Sequence, residues 1–380
     1  MRKKGFTKRN WIGLGCIIIC LLLSLVMHLI RQSWISGMED QQMAERWNEE
    51  GGVSQISCFF SREAGITEER LIGFEHTLEN ALKEASIVLE TENSGARLWA
   101  DAYSASGTLS VSTERATLNL KAIGIGGDFF QFHPMELLYG NYFSGNDLNT
   151  DYVVIDEETA WQLYGGIDVS GKFVTIGGRP HMIAGVIHRP QGRMEKAAGL
   201  DDSIIYVHLH TLQSFGYGAG SVENYEIVMP NPIKQFALQK VKEGLAVDEK
   251  EVIYMENTGR FSVLKSLEVI LQFGYRSMNG RAIIYPYWEN IARGFEDRLS
   301  LVTLVYVIGL IIPAGILFFW VIGLWRHKSW TFGQLIRKGS DLIYKVQSDR
   351  VIKKERAKNK KDRKPIRIFY EEEKENDKEQ

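Results

Sequence analysis

Histidines in the middle of the chain are the first residues whose type and spacing could do chemistry. His208 and His210 stand two apart in the apolar run IIYVHLH. Alternate residues of a strand share a face, so this pair could form one edge of a zinc site. No third ligand follows at a recognisable spacing, which favours ordinary polar positions, and the same holds for His181 and His188 on either side of another run. The sequence predicts no metal site.

Carboxylates offer a second candidate chemistry. Asp156, Glu157 and Glu158 follow the short apolar run VVI and could act as paired acids in hydrolysis. Helix capping is the simpler interpretation, because Asp is a favoured N-cap and the helix dipole stabilises acidic residues in the first turn. The chain contains neither GxxxxGK[ST] nor GxSxG, and no Ser-His-Asp arrangement is visible. We therefore predict a non-enzymatic protein with no catalytic residue and no cofactor.

Two long apolar segments flank this central part of the chain. Residues 11–30 and 301–325 contain no Lys, Arg, Asp or Glu. An α-helix rises about 1.5 Å per residue, so about 20 residues cross the roughly 30 Å of hydrocarbon in a bilayer. Pro313 lies inside the second segment, which a membrane helix tolerates, and Trp320 and Trp325 suit the interface. Both segments are predicted to be transmembrane helices.

The charges around these segments predict their orientation. Residues 1–30 carry 5 basic and no acidic residues, residues 31–298 carry 23 and 37, and residues 326–380 carry 17 and 10. Positive residues stay in the cytoplasm, so both termini should be cytoplasmic and 31–298 should lie outside the cell membrane. A cleaved signal peptide is the alternative for 11–30, but a small-x-small cleavage site is missing. Cys58 is the single cysteine of the outer segment and has no partner there for a disulfide.

Apolar periodicity between the two spans predicts an α+β domain. Helices are expected at 38–48, 68–82, 157–164, 233–245 and 262–273. Strands are expected at 54–60, 97–104, 109–125, 153–155, 172–176, 181–187, 204–210, 224–230 and 251–257. Gly165-Gly166 should end the short helix after Asp156. The glycines of GIGGDFF predict a turn before Phe129 and Phe130 rather than a phosphate loop. Residues 287–300 should run as a stiff helix into the second span.

The order of four stretches gives the outer segment a resemblance. These are GIGGDFFQFHPMELLYGNYF (124–143), VVIDEETAWQLYGG (153–166), DVSGKFVTIGG (168–178) and HMIAGVI (181–187). They resemble the extracytoplasmic core domain of MacB-like, FtsX-type ABC transporter permeases, over roughly 31–285 and most specifically over 121–188. The resemblance implies a porter-like α/β subdomain with a mainly β subdomain inserted at about 116–215.

The resemblance also implies partners. Such permeases have three further helices after the outer domain, whereas a single further helix and a charged tail follow here. The expectation is a non-catalytic membrane subunit that relays motion from a separate ABC ATPase and works beside another permease chain. The alternative is a two-span protein that senses an extracellular ligand and takes no part in transport. The acidic outer segment is a solvated surface or attracts a cationic extracellular peptide.

The residues after the second span have two interpretations. Apolar residues at mostly three- and four-residue spacing (Trp330, Phe332, Leu335, Ile336, Leu342, Ile343 and Val346) predict an interfacial amphipathic segment at 326–347. It either anchors the chain to the bilayer or touches an ATPase. Residues 348–380 form a charged cytoplasmic tail whose basic part suits anionic headgroups, and no nucleic acid partner is expected.

Overall fold

A computed structural model describes residues 8–88, 96–218, 220–276 and 283–326, together with 340, 343–348, 350 and 353. The chain divides into two compact units, Met1–Ile312 and Pro313–Gln380. Most of the predicted interfacial segment at 326–347, including Trp330, lies outside the described residues, as does most of the tail; Ile343 and Val346 are helical and exposed.

The main elements of the described residues are ten α-helices and ten strands, with short 3₁₀ helices at Glu39–Gln41 and Arg62–Ala64 and a π-helical turn at Lys196–Leu200. The helices are α1 Lys8–Ser36, α2 Met43–Trp47, α3 Glu68–Glu84, α4 Phe129–Phe132, α5 Glu157–Tyr164, α6 Arg193–Glu195, α7 Leu209–Phe215, α8 Phe236–Leu245, α9 Val263–Arg276 and α10 Tyr287–Arg326. The strands are β1 Val53–Phe60, β2 Ala100–Ser112, β3 Thr117–Gly127, β4 Leu137–Gly140, β5 Tyr152–Asp156, β6 Phe173–Ile176, β7 Arg179–Ile187, β8 Ile204–His208, β9 Asn224–Pro230 and β10 Val252–Glu256.

All ten strands belong to one sheet. Its order is β10-β1-β9-β2-β3-β8-β5-β7-β4, with β6 paired to β2 and β7. The pairs β3–β8 and β5–β7 are parallel and the others are antiparallel. Segment 116–215, which was expected as an inserted subdomain, supplies β3 to β8, and β3 pairs with β2 along its whole length. The sheet is therefore continuous between this segment and its flanks.

Helices cover both faces of the sheet, as side-chain alternation along the strands requires. One core cluster joins Ile56, Cys58 and Phe60 of β1 to α3 and α8. A second cluster contains the aromatic residues of α4 and Trp288, together with Ala100 and Ala102 of β2. Trp288 lies in the first turn of α10, so the helix that enters the second span is anchored in the core of the outer domain.

Two predicted elements are interrupted in the structure. The expected strand at 109–125 is a hairpin, because β2 ends at Ser112 and β3 starts at Thr117. Glu114 and Arg115 occupy the turn, so no Gly or Pro marked it in the sequence.

The expected helix at 38–48 breaks into a short 3₁₀ turn and α2. The side chain of Gln55 accepts a hydrogen bond from Met43 N at 2.9 Å and donates one to Asp40 O at 2.8 Å. In a continuous helix these two backbone groups would bond within the helix.

The apolar helices α1 and α10 have the length and composition of membrane spans. The most apolar window of each has a mean hydropathy of 2.6, and only 11% and 17% of these windows are buried. A core helix of a soluble protein would be mostly buried, so burial supports the assignment. As predicted, residues 287–300 continue directly into the second span within α10.

Candidate coupling junction

The two histidines considered as a zinc edge do not share a face. β8 ends at His208, and His210 lies in α7, so the predicted strand at 204–210 is two residues too long. His208 is buried against the ring of Phe143, and burial lowers its pKa, whereas His210 is exposed. Within the described residues, no group of three or more His, Cys, Asp or Glu side chains could hold a metal ion.

The hydrogen bonds of Asp156 are those of an N-cap, as predicted. Its Oδ1 accepts from Thr159 N at 2.6 Å, and its Oδ2 accepts from Ile204 N at 3.2 Å, which ties α5 to β8. Gly165 ends α5 with a φ of +76°. Glu157 pairs with His188 at 2.8 Å. The other bracketing histidine, His181, is buried rather than at an ordinary polar surface position.

A network of nine polar side chains, which the sequence did not reveal, joins the outer domain to the end of α1 and the start of α10. We call it the coupling junction; it consists of Asp40, Ser57, His133, Glu226, Asn257, Arg260, Glu289, Arg293 and Glu296. Asp40 comes four residues after the end of α1, and the last three belong to α10. Ser57 lies on β1, Glu226 on β9 and His133 directly after α4. Asn257 and Arg260 lie in the turn after β10.

Arg260 forms the centre of the half that contacts α10. Its guanidinium donates to both carboxylate oxygens of Glu289, at 2.7 and 2.8 Å, and to Glu296 at 2.6 Å. The Arg260 side chain is 2% exposed and the Glu289 side chain 1%, so water does not screen the pair. Burial alone would raise the pKa of the Glu289 carboxyl, but Arg260 and Arg293 outweigh burial and lower it. A bidentate, desolvated pair of this kind fixes both position and angle.

His133 forms the centre of the other half. Its Nδ1 bonds Asp40 at 2.8 Å and its Nε2 bonds Glu226 at 2.5 Å. Burial would lower the pKa of His133, but the carboxylates of Glu226 and Asp40 outweigh burial and raise it to about 9. The imidazolium is therefore charged at neutral pH and donates from both nitrogens. The indole of Trp288 packs on it, with ring centroids 4.1 Å apart.

Two uncharged residues connect the halves. Ser57 donates to Glu226 at 2.6 Å, and Asn257 Nδ2 donates to Ser57 at 2.8 Å. Arg260 in turn donates to Asn257 Oδ1 at 3.2 Å. The path from Asp40 to Glu296 is thus an unbroken chain of hydrogen bonds. A displacement of α10 would strain bonds that end on the central sheet and on the segment that leaves α1.

The two membrane helices also contact each other directly. Ser24 of α1 donates to Tyr306 O at 3.2 Å, and Ser24 is buried. A Cβ at Gly309 would collide with the Ser24 hydroxyl, so glycine allows the two helices to approach closely here. Above this contact, Arg31 donates to Phe261 O, and Phe261 packs with Met38, Ala292 and Leu299.

A separate cleft of mixed charge lies beside α3. Its volume is about 430 Å³, and its lining includes the acidic Glu75, Glu79 and Asp101 and the basic Lys83 and Arg97. Burial, and next the Glu75 charge, raise the pKa of Asp101 to about 8, so this carboxyl is mostly uncharged at neutral pH. The two basic side chains offset the two glutamates, and the lining has no net negative charge.

A family model described as the MacB-like periplasmic core domain matches residues 12–248. The chain belongs to this family.

Two sequence relatives are both described as the macrolide export ATP-binding/permease protein MacB. The one from Pasteurella multocida is 33% identical over 81 residues, which are 21% of this chain and 12% of the relative. The one from Chromobacterium violaceum is 32% identical over 72 residues, 18% of this chain and 11% of the relative. The matches thus span about an eighth of each relative's length.

Two solved structures are similar to the chain. The extracellular domain of the ABC-type transporter YknZ from Gram-positive bacteria has a TM-score of 0.36 and 18% identity, covering 53% of this chain and 99% of that one. The periplasmic region of MacB from Actinobacillus actinomycetemcomitans has a TM-score of 0.37 and 14% identity, covering 60% and 95%.

Sequence reasoning missed the coupling junction for a definite reason. Its residues come from six separate parts of the chain, and no spacing motif links one part to another. His133 lies within the stretch that carries the family resemblance, but a lone histidine gives no signal. One signal was accessible: ENIARGFED places Glu289, Arg293 and Glu296 at helical spacing on the predicted stiff helix.

Proposed function

We propose that this chain is a non-catalytic membrane subunit of a MacB-like ABC transport system, and that it relays motion driven by a separate ATPase to its outer domain. Both termini lie in the cytoplasm and the sheet domain lies outside the membrane. A second permease chain completes the membrane part. A cationic extracellular peptide is the ligand that the excess of acidic over basic residues in 31–298 favours.

The coupling junction is the observation that carries this proposal. A tether needs only a flexible linker, but here both membrane helices continue into ordered structure, and α10 reaches the domain core at Trp288. Breaking a buried ion pair by removing one partner costs about 3–5 kcal/mol. The joint is therefore stiff on the scale of protein motion, which a relay requires and a passive anchor does not.

Purification from native membranes in mild detergent tests the partners. The expected result is a P-loop ATPase and a further permease chain that co-purify with the full chain and are identified by mass spectrometry. Consistent absence of both from repeated preparations contradicts the transport proposal and favours a two-span sensor.

Hydrogen exchange of the purified complex tests the relay. Binding of a non-hydrolysable ATP analogue to the partner should change amide exchange in β9, which contains Glu226, and in β10, which ends four residues before Arg260. Arg260→Met should abolish that nucleotide-dependent change while the ATPase remains bound. Lys121→Met, which breaks a surface ion pair with Asp202, is the matched control and should preserve it. An unchanged response in Arg260→Met rejects the junction as the relay.

A further inference from the structure

Helix α9 is apolar but is not part of the core. Leu264 and Leu271 are 80% and 82% exposed, and Phe273 is 39% exposed. Among its described side chains, residues 263–273, only Ser266 is buried. None of its residues belongs to the buried clusters of the described chain. In water, a helix with this composition would leave its apolar face without a partner.

The apolar and polar residues of α9 occupy different faces. Leu264, Leu267 and Leu271 recur at three- and four-residue spacing, and so share one face of the helix. Glu268 and Gln272 share another face and are hydrogen-bonded to each other at 3.0 Å. Lys265 lies on the polar side and balances the charge of Glu268. This is the pattern of a helix that lies between an apolar and an aqueous phase.

The start of α9 lies where both membrane helices leave the predicted hydrocarbon. The apolar run of α1 ends at Ile30, and Arg31, the next residue, donates to Phe261 O. The apolar run of α10 begins at Leu301, and Leu299 belongs to the same small buried cluster as Phe261. Ser262 then accepts from Lys265 N and caps α9. Two independent contacts thus place the first turn of α9 at the outer edge of the bilayer.

Lipid is the occupant that this position favours. Leu29 and Leu301, at the outer ends of the two spans, are 58% and 53% exposed, so the apolar surface of the spans continues up to the level where α9 starts. We propose that α9 lies in the outer leaflet, at the boundary of headgroups and acyl chains, with Leu264 and Leu271 inserted. This inference rests on the two-span topology of the proposed function. Such a helix would hold the coupling junction at a fixed height above the bilayer.

Site-specific fluorescence in nanodiscs of zwitterionic lipid tests this placement. In the full chain with its three native cysteines replaced by alanine, single cysteines at Leu264 or Leu271 carry the environment-sensitive dye NBD. Glu268→Cys and Gln272→Cys are the matched controls on the polar face of the same helix. Leu22→Cys, in the middle of the first span, reports the topology. Nitroxide-labelled lipids, with the nitroxide near the top or near the end of the acyl chain, serve as quenchers.

The expected result is blue-shifted emission at positions 264 and 271. Quenching there should be several-fold stronger than at 268 and 272, and stronger with the nitroxide near the top of the chain. Strong quenching at 22 without quenching at 264 and 271 overturns the placement of α9 and leaves the two-span topology intact. Absent quenching at 22 refutes the topology and the placement together. Cross-links between two copies of the chain through position 264 or 271 assign the apolar face of α9 to a second copy and refute the lipid contact. Equal quenching at all four α9 positions refutes the orientation with one face in lipid and one in water.

Discussion

Replacing Arg260 by methionine is the perturbation that most directly tests the coupling junction. Methionine keeps an unbranched side chain that fills the aliphatic part of the arginine site but removes three hydrogen bonds to carboxylates, at 2.6, 2.7 and 2.8 Å. Glu289, 1% exposed, then retains Arg293 as an ion-pair partner, and Glu296, 10% exposed, loses its ion pair with Arg260. The Glu289 and Glu296 carboxylates must then either stay charged in a buried site without Arg260 or take up a proton.

The magnitude follows from this geometry. Removing one partner of a buried pair destabilises by about 3–5 kcal/mol. For a domain of this size each kcal/mol shifts the melting temperature by about 2–4 °C, so the expected decrease is roughly 6–20 °C. Lys121 and Asp202, whose side chains are 49% and 68% exposed, form the control pair. Lys121→Met should cost no more than about 1 kcal/mol, because surface pairs are screened by water.

Thermal unfolding of the full chain in nanodiscs, followed by tryptophan fluorescence, measures both variants. A triple variant, Arg260→Met with Glu289→Gln and Glu296→Gln, removes the two carboxylate charges that Arg260 pairs with and should recover a large part of the loss. If Arg260→Met melts within about 4 °C of the parent, the shift expected at most for Lys121→Met, the buried ion pair contributes little and the argument for a stiff junction is refuted.

Two further predictions concern single residues. The pKa of His133 in the folded protein is about 9, raised from 6.5, so its stabilisation is complete below pH 6.5 and disappears as the pH rises through 9. His133→Gln should therefore flatten the stability profile between these values, as measured by chemical unfolding at a series of pH values; an unchanged slope contradicts the charged state of His133. Asp156→Ala removes the cap of α5 and the bond to β8 and should cost about 1–2 kcal/mol, whereas Glu158→Ala should cost about 1 kcal/mol or less. Equal losses in the two variants would contradict the capping role.

Local features were predictable because their causes are local. The helix start at Asp156, its end at Gly165 and the hairpin of β6 and β7 each depend on a few adjacent residues and appear as expected. The continuation of residues 287–300 into the second span follows from one uninterrupted helical pattern. Predictions failed where a distant side chain intervened, as Gln55 does in breaking the expected helix at 38–48, or where a turn has no Gly or Pro, as between β2 and β3.

The charge of His133 could not be predicted for a related reason. A histidine in sequence has a pKa near 6.5, and its charge at neutral pH depends on which carboxylates the fold brings to its ring. Asp40 and Glu226 are 93 residues away on either side. The sheet and the segment that follows α1 bring both carboxylates to the His133 ring, and no spacing pattern in the sequence predicts this.

The sequence by itself determined the two apolar spans, the acidic segment between them, the α+β class and the family resemblance, because hydropathy, periodicity and local motifs are written in neighbouring residues. Only the tertiary structure decided which polar residues of that segment meet. Packing brings nine of them, from the segment after α1 to α10, into a single hydrogen-bonded network, and desolvation strengthens the bonds among those that are buried. The coupling junction exists only in the folded chain because the desolvation that strengthens it comes from packing residues distant in sequence.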